Sequence, residues 1–305
     1  MFTLKQAMAG SLFSALLLVS SSQAGLAQQV FSSPQEAADA LVNAARNPGS
    51  AALDDIFGTG ARQILSAGDE EVDRERIADF LALADNGHSV VEERPGVATL
   101  LFGADGWRFP VPLREKDGKW TFDLAAGRQE IRNRAIGRNE LTAIASCSAY
   151  VEAQREYYDQ IRDDEPVQQY ARRFISSPGR HDGLWWKPES PRDRSPLGDL
   201  IAAAAVERTS AKDSPTPYYG YIYRILTRQG AAAPGGAYGY IVGGRMLAGF
   251  ALIAYPERWG ETGVMTFLCD QQGQVYQRNL GPGTASEAAR IDTFDPRPGW
   301  EAVHD

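Results

Sequence analysis

The chain has 305 residues, 43% hydrophobic and 23% charged, with a formal net charge of −8 and a pI near 5.1. The acidic excess excludes a general nucleic-acid binder, because neutralising phosphates takes basic surface. A length above the ~100–200 residues usual for one domain favours two.

In chain order, Lys5 precedes an apolar run from Ala7 to Val19, and small residues follow around Ala24 and Ala27. A basic start, a short apolar core and a small-x-small end read as a secretory signal peptide over residues 1–27. The apolar run falls well short of the ~20 residues that span a bilayer, so no transmembrane segment is expected in the mature chain. The expected location is the periplasm or the exterior.

Residues 30–135 read as a first, small α+β domain. Ser33, Pro34 and Glu36 make a helix start, and Ala37, Ala38, Leu41, Val42 and Ala45 follow at helical spacing. Further helices are expected around Ala51–Phe57, Gly60–Ser66 and Glu70–Ala84, the last with a stripe of Val72, Ile77, Phe80 and Leu83. Strand-like segments at Ser89–Glu93, Val97–Phe102, Arg108–Leu113 and Lys119–Asp123 are split by Gly- and Pro-containing turns and form an antiparallel meander.

Residues 136–305 read as a second domain, a long helix against an antiparallel sheet. The helix is expected from Leu124 to Ile161, bent near Gly137, with Leu141, Ile144, Cys147, Val151, Tyr158 and Ile161 on its packed side. Gln154, with Glu152, Arg155 and Glu156, is assigned to solvent. Residues 176–198 form a Pro-interrupted loop, Leu197–Val206 a short helix, and Gly230–Gly236 a flexible linker lacking the Lys and Ser/Thr of a phosphate loop. Strands are expected at Tyr218–Thr227, Tyr238–Val242, Arg245–Ala254, Val264–Cys269 and Gln274–Asn279. The Gly243-Gly244 pair marks a hairpin.

Chemistry-bearing residues are sparse. His181 and Asp182 with Ser195 are the candidates for a hydrolytic site, since a Ser nucleophile needs a His base oriented by a carboxylate, and Glu189 is a further acid in that loop. No Gly-x-Ser-x-Gly elbow accompanies them. Arg180, His181, Trp185 and Trp186 are the candidate binding residues, because two adjacent Trp in an extended segment cannot both enter one core. The three His have no ligand spacing, so no metal site and no cofactor are expected. The two cysteines, Cys147 and Cys269, are either a disulfide, which export permits, or two buried thiols.

Several motifs spaced over nearly the whole mature chain resemble the bacterial domain-of-unknown-function family 2950. They include Asn139, Glu140, Ala143, Ile144, Gln154 and Tyr157, then Gly220, Tyr221, Pro234, Gly235 and Gly236, and the strand from Gly263 to Phe267. That resemblance implies export and broad architecture without an activity. More loosely, Asn139, Glu140, Ala143, Ile144, Ala153, Gln154, Tyr157, Gly220, Tyr221, Gly263, Thr266 and Phe267, with Ala254, Pro256, Gly260, Thr262, Asp270, Gly273 and Tyr276, resemble the globular heads of type IV pilins and pseudopilins. Charged residues at Arg128–Arg138 stand where a pilin has its apolar stalk, which argues against a filament subunit. In such a head Met265, Phe267 and Cys269 would share one sheet face, and Cys269 would approach Cys147 if that face met the helix. The favoured expectation is an exported, non-catalytic envelope binding or assembly factor whose partner is an envelope protein or a glycan. The alternatives are an envelope hydrolase using the 178–198 loop and a subunit of a pilus-like assembly.

Overall fold

A computed structural model describes residues 28–47, 52–58, 66, 70–190, 193–197 and 217–304. The expected signal peptide over residues 1–27, most of the helix expected at Gly60–Ser66 and nearly all of the one expected at Leu197–Val206 lie outside the described residues. The chain is α+β and divides into two compact units, Met1–Arg128 and Gln129–Asp305.

In the first unit α1 (Pro34–Ala45) begins as its sequence dictates. The Ser33 hydroxyl accepts from the Glu36 N–H at 3.1 Å, and the Glu36 carboxylate accepts from the Ser32 N–H at 2.7 Å. Its expected stripe is buried throughout. α2 (Ala52–Phe57) and α3 (Glu70–Ala84) follow. Phe80 and Leu83 of α3 pack on the core, whereas Val72 is exposed, so that stripe is only partly used. The meander is β1 (His88–Arg94), β2 (Val97–Phe102), β3 (Trp107–Arg108), β4 (Leu113–Lys116) and β5 (Lys119–Phe122), all antiparallel, in the order β1-β2-β4-β5 with β3 also on β2. The expected strand Arg108–Leu113 is interrupted because Pro110 and Pro112 have no N–H for a ladder. Phe57, Phe80, Phe102, Phe109 and Phe122 meet at ring distances of 4.8–6.4 Å and fill the centre.

The unit boundary falls within α4 (Leu124–Tyr158), a continuous 35-residue helix. Asp123 caps it, accepting from the Ala126 N–H at 3.0 Å. Gly137 interrupts nothing, because the helical ladder tolerates a glycine at a cost of about 1 kcal/mol. The packed face is Ala143, Cys147, Tyr150, Val151, Gln154 and Tyr157, while Leu141 and Ile161, assigned to it from their spacing, are exposed. That face recurs at steps of three and four from Ala143, and Leu141 lies off it.

The second unit's sheet is β6 (Tyr221–Leu226), β11 (Ala251–Pro256), β12 (Met265–Asp270), β13 (Val275–Asn279) and β14 (Glu301–Ala302), antiparallel, with order β14-β13-β12-β11-β6. Between β6 and β11 the chain makes two small hairpins, β7 (Arg228–Gln229) with β8 (Tyr238–Gly239), and β9 (Ile241–Val242) with β10 (Arg245–Met246). Tyr240 separates β8 from β9, and residues 247–250 separate β10 from β11, so two expected strands are each divided.

The sheet is covered on both faces. Tyr223 reaches Ser146 of α4, and Leu252 pairs in register with Cys269 toward the same helix. On the other face Arg224 donates to the carbonyls of Ala288 and Ile291, around a C-terminal helix, α5 (Thr284–Arg290), that the sequence reading did not include. Double coverage explains why every residue of β11 is buried. Cys147 and Cys269 form a disulfide with Cα atoms 6.0 Å apart, both fully buried.

The bridge closes a loop of 122 residues. Replacing both cysteines by alanine is expected to lower unfolding free energy by about 2–5 kcal/mol, measured by denaturant titration. Because both sulfurs are buried, dithiothreitol should leave the native protein oxidised and reduce it only in denaturant, as read by thiol labelling.

Candidate functional site

The loop after α4 is fastened by the helix end. Gln154, assigned to solvent from sequence, is fully buried: its amide nitrogen donates to the Tyr150 hydroxyl and the Ala171 carbonyl, and its oxygen accepts from the Ala171 N–H. Burial is tolerated because these polar atoms are bonded. One turn later the Tyr157 hydroxyl donates to the His181 carbonyl at 2.7 Å, and burial pushes its pKa up to about 12. The Arg162 guanidinium lies over the rings of Tyr157 and Trp186, 5.0 and 4.9 Å from their centroids. Burial lowers its pKa, against the opposing pull of Tyr157 and the carboxylates of Glu156, Asp193 and Asp163.

His181 sits at the middle of this loop. Its Nδ1 is 3.4 Å from the Asp163 carboxylate and its Nε2 3.4 Å from that of Asp193, with the ring edge-on to Trp186 at 4.5 Å. Asp163 also accepts from the His181 N–H at 2.8 Å and lies 3.4 Å from Arg180. Asp193 accepts from the Glu189 N–H at 2.8 Å and the Trp186 indole at 2.7 Å, and these two bonds hold its pKa below the usual carboxylate value.

The three candidate catalytic residues are not brought together as nucleophile, base and orienting acid. Asp182 accepts from the N–H and hydroxyl of Ser177 rather than from His181. The Ser195 hydroxyl is engaged on the backbone of Trp186, accepting from its N–H at 2.9 Å and donating to its carbonyl at 2.7 Å. Of the candidate binding residues, Trp186 is buried and Trp185 packs partly buried against the core, its backbone bonded to Phe174 and Ser176. Arg180 remains exposed. Asp163, Asp193 and Arg162 complete the cluster, and no spacing in the sequence connects residues 30 positions apart.

At one end of the second sheet several of the motif residues quoted from the sequence form a clamp. The Asn139 amide donates to the Thr262 carbonyl at 2.9 Å, and the Glu140 carboxylate accepts from the N–H groups of Val264 and Met265 at 2.9 and 3.0 Å. Gly220 packs against this turn with φ +70°. A Cβ there would lie 2.7 Å from the Thr262 Cβ and 3.0 Å from the Asn139 amide. Its carbonyl accepts from the Glu257 N–H at 2.9 Å. Two exposed aromatic side chains stand on these turns, Tyr219 and Trp259, the latter donating to Asn279 at 2.9 Å.

A third feature is an open depression of about 450 Å³ beside the small hairpins, with Thr227, Gln229, Tyr238 and Ile241 in its lining. The Gly230–Gly236 segment bordering it is fastened rather than a free linker. Gln229 donates to the carbonyls of Pro234 and Gly236 and accepts from the Tyr240 hydroxyl, and Asp295 accepts from the Ala232 N–H. Among the described residues no group of three His, Cys, Asp or Glu is placed to hold a metal ion, and no helix is long and apolar enough to cross a membrane.

Residues 28–303 match the family described as "Protein of unknown function (DUF2950)". The chain belongs to this family. No curated protein and no solved structure matches it, so the likeness to pilin heads is not confirmed. Several of the motif residues quoted from the sequence are bonded in the structure. Their structural roles are the clamp at Asn139, Glu140 and Gly220 and the buried Gln154.

Two outcomes follow from these contacts. Glu140→Ala leaves the Val264 and Met265 N–H groups without their acceptor and should cost about 1–3 kcal/mol, with Glu140→Gln costing less, by thermal or denaturant unfolding. Asp193 has a folded pKa below its unfolded value, so its contribution is present above the unfolded carboxylate pKa and is lost as pH falls through the folded one. Asp193→Asn should therefore flatten the acid side of the stability profile, followed by urea midpoints from neutral pH downward.

Proposed function

We propose that the protein is an exported, non-catalytic binding or assembly factor of the cell envelope, in the periplasm or outside the cell. The observation that carries this reading is the use made of the loop's reactive groups. The Ser195 hydroxyl, the Asp182 carboxylate and both ring nitrogens of His181 are all engaged in fastening residues 163–195. A hydroxyl that donates to a carbonyl and accepts from an N–H of the same residue is not poised as a nucleophile toward His181. The buried disulfide supports export, since such bonds persist outside the reducing cytosol. The bonded hairpin loops and solvent-facing aromatics support binding, which is favoured when little conformational entropy remains to be lost.

Purified protein incubated with peptidoglycan fragments and a peptide library should give no products by mass spectrometry, and His181→Ala should retain the fold by circular dichroism. Turnover abolished by His181→Ala would establish the hydrolase instead. In cell fractions the protein is expected outside the cytoplasm with a mature N-terminus at Gly25 or Gln28, and an unprocessed cytosolic chain would refute the assignment.

A further inference from the structure

We propose that the Tyr219–Trp259 end of the second sheet is a binding surface for an oligosaccharide, an inference that rests on the binding reading above. The first observation is conformational. Tyr218 and Tyr221 exchange both backbone bonds, 2.8 and 3.0 Å, across a two-residue turn formed by Tyr219 and Gly220. Both residues have positive φ, +46° and +70°. Gly, Asn and Asp occupy such a turn at little cost, whereas a bulky aromatic residue there is an outlier. Tyr219 is nevertheless 58% exposed, with its ring set edge-on to the Tyr218 ring at 4.8 Å. More than half exposed, the ring is not part of either buried core, and strain retained on an outward-facing ring points to a functional contact.

The second observation is what stands beside it. The Gly220 carbonyl is bonded to Glu257, which opens the β11–β12 turn carrying Trp259. Trp259 is 36% exposed and is held by its indole N–H on the Asn279 oxygen, which also accepts from the Gly281 N–H. The Asn279 amide nitrogen makes no hydrogen bond among the described residues and remains free to donate. Arg258 lies between the carboxylates of Glu257 and Glu261, 2.8 Å from each. From the turn before β6 to the end of β13 the surface crosses three strand spacings, about 14 Å, so it accommodates more than one ring.

Separate exposed aromatic rings with planar amide, guanidinium and carboxylate groups beside them match a sugar chain. The apolar C–H face of a sugar stacks on an aromatic ring, and its hydroxyls take paired hydrogen bonds from planar polar groups. A protein partner would call for a continuous apolar centre, and here the turn that carries Trp259 also carries the charged Glu257, Arg258 and Glu261.

Calorimetric titration of the purified mature protein with N-acetylglucosamine tetramer and with cellotetraose tests the assignment. At least one tetrasaccharide should bind, and Tyr219→Asn and Trp259→Ala should each weaken it by about tenfold or more. Tyr219→Asn should at the same time raise the melting temperature by about 2–4 °C, because it relieves the turn. A fall in melting temperature would make Tyr219 a structural residue and overturn the proposal. So would binding of neither sugar, or binding that both variants leave unchanged. Those outcomes leave the wider reading standing, which falls instead to turnover in the product assay or to an unprocessed cytosolic chain.

Discussion

The second unit depends on the seating of α4 on the five-stranded sheet. One face of the helix, from Ala143 to Tyr157, meets residues of β6, β11 and β12, and three kinds of bond hold it there. Glu140 and Asn139 grip the β11–β12 turn, Cys147 is joined to Cys269, and the Tyr150 hydroxyl lies 3.4 Å from the Ala251 carbonyl. The apolar burial supplies most of the stabilisation, and the polar bonds fix the register, since an unpaired N–H under the helix would cost more than it returns.

Buried amides organise the irregular parts. Gln154 fastens the chain at Ala171, and Gln229 fastens the Pro234–Gly236 segment. A side-chain amide has two donors and an acceptor, so it stands in for the ladder bonds that a loop lacks. This is how a segment with several prolines and one rich in glycine and alanine acquire definite shapes. The same economy engages Ser195, Asp182 and His181 in contacts within their own loop.

Much of the fold was legible in the sequence. The N-cap of α1 needs only Ser33 and Glu36 in local order, and β2 is bounded as expected because a run of apolar and β-branched residues between turns has one reading. The alternation of Met265, Phe267 and Cys269 pointed to the face on which the disulfide lies. Local pattern misled where a partner decided the outcome. Gln154 reads as a solvated polar residue until Ala171 is opposite it, and Leu141 reads as core until the face beginning at Ala143 is seen. The division of the Arg245–Ala254 strand and the helix Thr284–Arg290 left too little periodicity in short segments to be read.

The candidate site was less legible. His181 stood out by its rarity, but its neighbours Asp163 and Asp193 come from separate parts of the loop and meet it only in three dimensions. Tyr219 carries no signal in sequence, because positive φ belongs to the backbone and not to the residue type. The amino-acid sequence by itself determined the family, the α+β class and the order of most elements, since these follow from local spacing and capping. Tertiary structure decided which polar groups are consumed in fastening loops and which aromatic rings face solvent, because hydrogen-bond satisfaction and exposure are set by residues far apart in the chain.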